Sequence, residues 1–539
     1  MNSVFRDTRA QSEECLCIEV KNDADHITAR VSSYEAVAES IANLLDEPDP
    51  PDPWNLPERV GRVSTLSHAI ASVRAVERAY GYRVPPNADL VRNLMIAAQH
   101  IHDHVIHFYH LHALDWADMG AALAADPRKS AELQRSLSGW PNASEAYFAR
   151  VQQRLVRFFG SGRLGVFGNG YWGHPEYRLP AELDLILFAH YLAVLDWPRQ
   201  VARLHALLAG TDSPPTFMVG GTRCIIGYAE ASNALDGAGL DGVDAIIAEL
   251  QTFVDQVYLP DTLAIARFYK DWALRGQGVG NFLTYGEFPA PCCGAHDPGD
   301  LLIPRGAILD QDLSIVHAVD LDDPYQIQEH FSQARGGQGA AAGVACHPYD
   351  MDDDDTLPDH RGRRGTRFRH RNRSPDQGRV PRWRGKPMEV GPLARVLMLY
   401  ATGHRPMEFL VDNTLDDLEL PLPALFSTLG RLIARTLETK LLVDQMAVWY
   451  RELLDSLVGG DRRMHNSTLC SPCGWPLSAM GGGYTEAPEG ALAHWAVIDE
   501  GRIANYQTIV PAAWNAGPCD AQGQEGPYAA ALRGQCLHD

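Results

Sequence analysis

The chain has 539 residues, enough to bury a large core, and carries a formal net charge of -21. A balance this acidic argues against a surface built to attract nucleic acid or anionic lipid, and fits soluble partners or neutral substrates better. No run approaches the roughly 18 apolar residues of a membrane helix, the first residues lack the apolar core of a signal peptide, and ten cysteines scattered over such a length form no small-domain disulfide framework.

Taken in chain order, the dominant hydrophobic period is helical. A helix is predicted over 64–80, closed by Gly81, and a second over 88–114, with Asn87 as N-cap. That second helix holds the histidines of the run HIHDHVIHFYHLHALDW, in which His100, His102, His104, His107, His110 and His112 crowd into thirteen residues. His100, Asp103, His104 and His107 would share one face. Such a face either binds a metal or consists of core histidines bonded to backbone carbonyls, and the second pattern is the commoner one. A helix follows over 144–159, ending at Gly160. Long amphipathic stretches continue at 180–197, 198–210, 243–272 and 422–460, and a strand pair is expected where HWAVI and RIANYQTIV flank Asp499-Glu500-Gly501. The fold class is therefore mainly α with a late strand pair.

Several smaller signals carry less. Gly276, Gly278 and Gly280 lack the spacing of a dinucleotide fingerprint and read as a turn. Cys470 and Cys473 have zinc-knuckle spacing without a second pair, and the adjacent Cys292 and Cys293 read as loop residues. Residues 350–380 run from an acidic block into the arginine-rich 361–373, an insert-like composition. RNA binding by that segment would be salt-dependent, but the acidic neighbour competes for the same arginines, and no nucleic-acid partner is expected.

The irregular stretch PRWRGKPMEVGPLAR (381–395), with the histidine run, GNGYWGHPEYRLP, TEAPEGALAHW and VPAAWNAGP, resembles the large subunit of nickel-iron hydrogenases of the membrane-bound uptake type. The likeness covers 59–350 and 380–533, whereas 1–58 and 351–379 diverge. The resemblance implies a large multi-helix subunit with a central helical bundle and small peripheral β hairpins, one unit over 1–539, that oxidises H2 to protons and electrons at a nickel-iron centre carrying CO and CN ligands. It also implies an iron-sulfur small subunit that forms the heterodimer and takes the electrons, a membrane cytochrome b beyond it, and a peripheral position on the periplasmic side of the cell membrane, reached through the small subunit. By the same resemblance, Arg382 matches the arginine above the open metal position, and Asp103 the carboxylate that orients it.

The metal thiolates of the family do not appear. Its R-x-C-G-x-C pair aligns on Arg59-Val60-Gly61-Arg62-Val63-Ser64, so Gly61 and Ser64 stand where cysteines belong. The second pair, in D-P-C-x-x-C-x-x-H, would follow the last residue, Asp539, and the family's R-I-E-G-H element is unrecognisable near 11–17. No metal or cofactor ligand is therefore assigned. Two readings follow: local shifts of reading frame in the gene of a working enzyme, since the departures are confined to blocks, or a catalytically dead paralogue that serves as a scaffold in hydrogenase maturation.

Overall fold

The computed structural model describes residues 65–162, 171–209, 237–291, 300–331, 345, 347–350, 379–461, 463–464, 476–520 and 522–533, together with the backbone of three strands near the N-terminus. Those strands, β1 (Ser3–Phe5), β2 (Cys17–Asp23) and β3 (His26–Ser32), form an antiparallel sheet in sequence order. Gly61, Ser64, the arginine block and nine of the ten cysteines, Cys470 and Cys473 among them, lie outside the residues whose side chains are described.

The helices begin with α1 (Thr65–Tyr80) and α2 (Pro86–Ile106). Helix α2 starts one residue earlier than its expected cap. Pro86 occupies the first helical position, where its missing N–H costs nothing, and Asn87 instead donates from Nδ2 to the Asp461 carbonyl at 2.8 Å. The histidine run is not α-helical throughout: α2 widens into a π-helical turn at His107–His112 and ends in a 3-10 turn at Ala113–Asp115. Next come α3 (Pro127–Leu137), α4 (Glu145–Gly160, capped by Ser144 Oγ), α5 (Ala181–Val194), α6 (Trp197–Ala209), α7 (Gly237–Phe253) and α8 (Leu259–Phe268). After a region of short strands, α9 (Pro392–Ala401), α10 (Arg405–Leu418) and the 31-residue α11 (Thr428–Val458) follow.

Helix α11 is the axis of the bundle. At about 1.5 Å per residue it is roughly 46 Å long, and it packs against α2, α7, α8 and α9. One continuous core runs from Leu90 and Leu94 of α2 to Leu442 and Leu453 of α11. A mainly α fold with small sheets is what the periodicity predicted.

The sheet near the C-terminus is larger than expected. It has three antiparallel strands, β4 (Ala479–Ala487), β5 (Gly490–Asp499) and β6 (Arg502–Ile509), with Tyr484 opposite Ala493 and Trp495 opposite Gln507. The expected pair accounts for β5 and β6. Strand β4 was hidden by Gly481, Gly482 and Gly483, which weaken a strand signal. Their reason is packing: a Cβ on Gly483 would lie 1.8 Å from the Ala71 carbonyl oxygen, and one on Gly481 2.1 Å from that of Ala75. Helix α1 therefore lies directly on the backbone of β4, bringing His68 to the inner side of the sheet. Gly276, Gly278 and Gly280 all have positive φ, as the turn reading requires.

Candidate active site

The site is built on a buried ion network. Arg395, in the first turn of α9, is fully buried and donates from Nε and Nη2 to Glu438 of α11, the latter at 3.0 Å. Its Nη1 reaches Glu486 Oε2 at 2.9 Å and the Ala487 carbonyl at 3.0 Å, and Nη2 also reaches the Pro488 carbonyl at 2.9 Å. One guanidinium thus fastens the turn between β4 and β5 to the central helix, a task suited to its rigid fork of donors. Glu486 accepts the Tyr285 N–H at 2.6 Å. Behind it, Glu287 pairs with Arg74 of α1 at 2.7 and 3.0 Å and accepts the Glu486 N–H at 2.9 Å. Burial alone would raise Glu438, but Arg395 and the two α2 histidines hold its carboxyl well below the usual range.

The histidine face of α2 enters this network. His100 Nε2 lies 2.8 Å from the Glu486 carbonyl, and His104 Nε2 lies 3.0 Å from Glu438 Oε2. Arg435 Nη1 donates to His104 Nδ1 at 3.0 Å. Since arginine only donates, His104 carries its proton on Nε2 and is neutral, and burial pushes its pKa down to about 3. His100, His104 and Glu438 come close enough together to suggest a metal site. Their chemistry opposes one: the carboxylate is already paired with Arg395, the His104 Nε2 proton is already donated to it, and Arg435 stands alongside. These are core histidines bonded to a carbonyl and a carboxylate.

Next to the network is a cavity of about 620 Å³. Stretches far apart in sequence form its wall: His68 of α1; Asp103 and His107; Glu389, Val390, Pro392 and Leu393; Thr428, Arg431 and Arg435 of α11; the turn Ala487 to Glu489; Val510 to Ala512; and Pro527 to Leu532 in part. Arg431 grips Glu389 with Nε and Nη2, each at 2.7 Å. His68 Nδ1 lies 2.9 Å from His494 Nε2, and His494 Nδ1 lies 2.6 Å from the Tyr506 hydroxyl. Burial lowers the His68 pKa to about 4, so this chain of rings is neutral at pH 7.

The two residues singled out from the sequence part company here. Asp103 lines the cavity, with His102 Nδ1 2.7 Å from its Oδ1 and Gln99 Nε2 at 2.8 Å from both oxygens. Arg382 does not line it. Fully buried, it donates from Nε to Asp520 at 2.9 Å, from Nη1 to the Pro381 carbonyl at 3.0 Å and from Nη2 to the Gln524 carbonyl at 3.1 Å. The expectation that Asp103 orients Arg382 is corrected: Arg382 ties its strand (Arg379–Trp383) to the 518–526 loop, because Asp520 is the carboxylate within its reach. The guanidinium groups at the cavity are those of Arg431 and Arg435. Neither was found from sequence, since an arginine within an amphipathic helix reads as a solvated face. Glu389 and Glu489 were inside quoted motifs without being assigned a role.

Residues 40–539 match the nickel-dependent hydrogenases. The chain belongs to that family. It is 41% identical over 520 residues to the Hydrogenase-1 large chain of Escherichia coli (strain K12), which covers 95% of this chain and 86% of that one. It is also 41% identical over 524 residues to the uptake hydrogenase large subunit of Rhizobium leguminosarum bv. viciae, covering 96% and 87%. In structure it is similar to the Ni-Fe-Se hydrogenase of Desulfovibrio vulgaris Hildenborough in its as-isolated oxidised state, with TM-score 0.69 over 99% of this chain and 94% of that one; at 23% identity the likeness speaks for the fold. The activity class is hydrogenase, and the cofactor of the family is a nickel-iron centre. The donor set described at the cavity does not fit that group: carboxylates, imidazoles and guanidiniums line it, and among the described residues no cysteine does. Cys519, the free cysteine among them, is exposed and close to Asp520 and Arg382. Soft thiolates are what nickel and iron of this kind require, and Gly61 and Ser64 supply none.

Proposed function

We propose that this chain is the large, catalytic subunit of an uptake hydrogenase, taking H2 to two protons and two electrons and passing the electrons to an iron-sulfur small subunit and on to a membrane cytochrome b. The observation that carries this is convergence. Four of the five motif segments quoted for the resemblance, those containing Asp103, Glu389, Glu489 and Pro511, meet at one cavity although they span more than 400 residues of sequence. Its wall is largely apolar, as suits H2, and it adjoins a fixed array of charges, Arg395 between Glu438 and Glu486, that cannot reorganise easily. No described helix is long and apolar enough to cross a membrane. The place we assign the chain, peripheral to the membrane on the periplasmic side, therefore depends on its partners.

One observation favours a second reading. A cavity with no described sulfur is what a metal-free large-subunit homologue acting as a maturation scaffold would have. The two readings separate on one preparation: the chain purified with its small subunit, assayed for H2-dependent dye reduction and nickel content, with peptide masses read across 57–67. Dye reduction with about one nickel per chain, and cysteine masses in place of Gly61 and Ser64, supports the enzyme and the frame-shift account. Peptides with Gly61 and Ser64, no nickel and no dye reduction overturn it in favour of the scaffold.

A further inference from the structure

Two π-helical turns meet in the core: His107–His112, which follows α2, and Val254–Tyr258, which joins α7 to α8. Such turns are rare and occur frequently where a side chain is aimed for a task. Here they bring Tyr109 against Asp261, in the first turn of α8, and the Tyr109 hydroxyl donates to Asp261 Oδ2 at 2.6 Å. His190 of α5 reaches the same oxygen with Nδ1, also at 2.6 Å. All three side chains are buried, and none of them lines the cavity. Among the described residues no arginine or lysine pairs with Asp261. Burial raises the Tyr109 pKa well above 10, and Asp261 raises it further, so the phenol does not serve as an ordinary acid near neutral pH.

The rings around Tyr109 make a path to the surface. Centre to centre, Tyr109 is 6.1 Å from Phe253, which is 4.6 Å from Trp197 and 5.9 Å from the partly exposed Trp140. The indole N–H groups of Trp140 and Trp197 have no hydrogen-bond partner among the described residues. On this path Tyr109 is therefore the ring with a carboxylate placed to take its proton.

We propose that Tyr109 is a redox-active tyrosine, which a strong one-electron oxidant at the surface oxidises by way of Trp140 and Trp197, with Asp261 as the proton acceptor. The oxidant takes one electron from the phenol. The Tyr109 Oη–H bond breaks as an O–H bond forms at Asp261 Oδ2, which leaves a neutral phenoxyl radical beside a neutral carboxylic acid. Return of one electron sends the proton back to Tyr109. The surroundings favour this site over its neighbours: oxidation here removes a buried negative charge, whereas oxidation of an indole without an acceptor leaves a buried cation. His190 is a positioning residue, since its bond to Oδ2 turns that oxygen towards the phenol. The chain can thus hold one oxidising equivalent in its core. This goes beyond the uptake reading and does not depend on it.

The test uses the full chain, oxidised by a photogenerated ruthenium(III) polypyridyl complex with persulfate as the final electron acceptor, then frozen for electron paramagnetic resonance. The expected result is a long-lived neutral tyrosyl signal that Tyr109→Phe loses. A ring-fluorinated tyrosine at position 109 keeps the hydrogen bond and should add fluorine hyperfine splitting to that signal, which assigns the radical even where Tyr109→Phe fails to fold. Asp261→Asn can still accept the phenol hydrogen bond but cannot take the proton, and the signal should be lost there too. A radical without fluorine splitting, or one that survives in Tyr109→Phe or Asp261→Asn, overturns the proposal. So does a parent chain that forms no long-lived tyrosyl signal, the outcome expected of a purely structural triad.

Discussion

Asp89 offers a test of how this fold handles buried charge. It lies near the start of α2 with 3% exposure, and its Oδ2 has no hydrogen-bond partner. Burial raises its pKa to about 7 from 3.8, against the pull of Arg92, which is itself committed to Glu77 at 2.6 and 3.0 Å. The folded chain thus keeps a proton that the unfolded chain releases at lower pH. Folding stability therefore falls as pH rises from about 4 to about 7 and is constant above that. A shift of about three units at about 1.4 kcal/mol each corresponds to about 4 kcal/mol lost at pH 8, and about 0.5 kcal/mol at pH 4. Asp89→Asn removes the ionisation and keeps the shape. With an unfolding entropy of about 2.1 cal/mol/K per residue, a chain of 539 residues changes its melting temperature by about 1 °C per kcal/mol. Calorimetry should find the variant melting about 4 °C above the parent at pH 8 and within about 1 °C of it at pH 4. A gain of equal size at both pH values, or a loss that grows with pH, would refute the reasoning.

Arg395→Met leaves Glu438 and Glu486 buried without their cation and should cost about 3–5 kcal/mol, seen as a lower melting temperature or loss of soluble protein; an unchanged melt would show that the carboxylates are not charged in the fold. Gly483→Ala forces a Cβ to 1.8 Å from the Ala71 carbonyl, so limited proteolysis should cut within α1 at protease levels the parent resists. Arg382→Gln removes the ion pair with Asp520, and amide exchange should accelerate in 518–526 while the α11 amides keep their protection.

The sequence made the helices legible because their cores repeat at the helical period, as α11 does with Leu429, Leu432, Ile433, Thr436, Leu437 and Leu441 all inward. Strand β4 was illegible for a local reason, since its glycines serve a contact with α1 that lies about 400 residues upstream. The histidine run was legible as a feature before it was legible as chemistry. Which of its rings meet a carboxylate, a carbonyl or solvent depends on Glu438 and Glu486, more than 330 residues away. Arg382 shows the same limit: its motif drew attention to it, but its partner is 138 residues on, and that partner places it away from Asp103. Arg431 and Arg435 gave no local signal because only tertiary packing turns their side of α11 towards the cavity.

The central claim is that this cavity belongs to a working uptake hydrogenase, and H2-dependent dye reduction by the chain copurified with its small subunit, with nickel counted on the same sample, tests it most directly. The account predicts steady reduction that stops when H2 is withdrawn, with about one nickel per chain. A folded, nickel-free complex that reduces no dye, from a chain whose peptides carry Gly61 and Ser64, would contradict it.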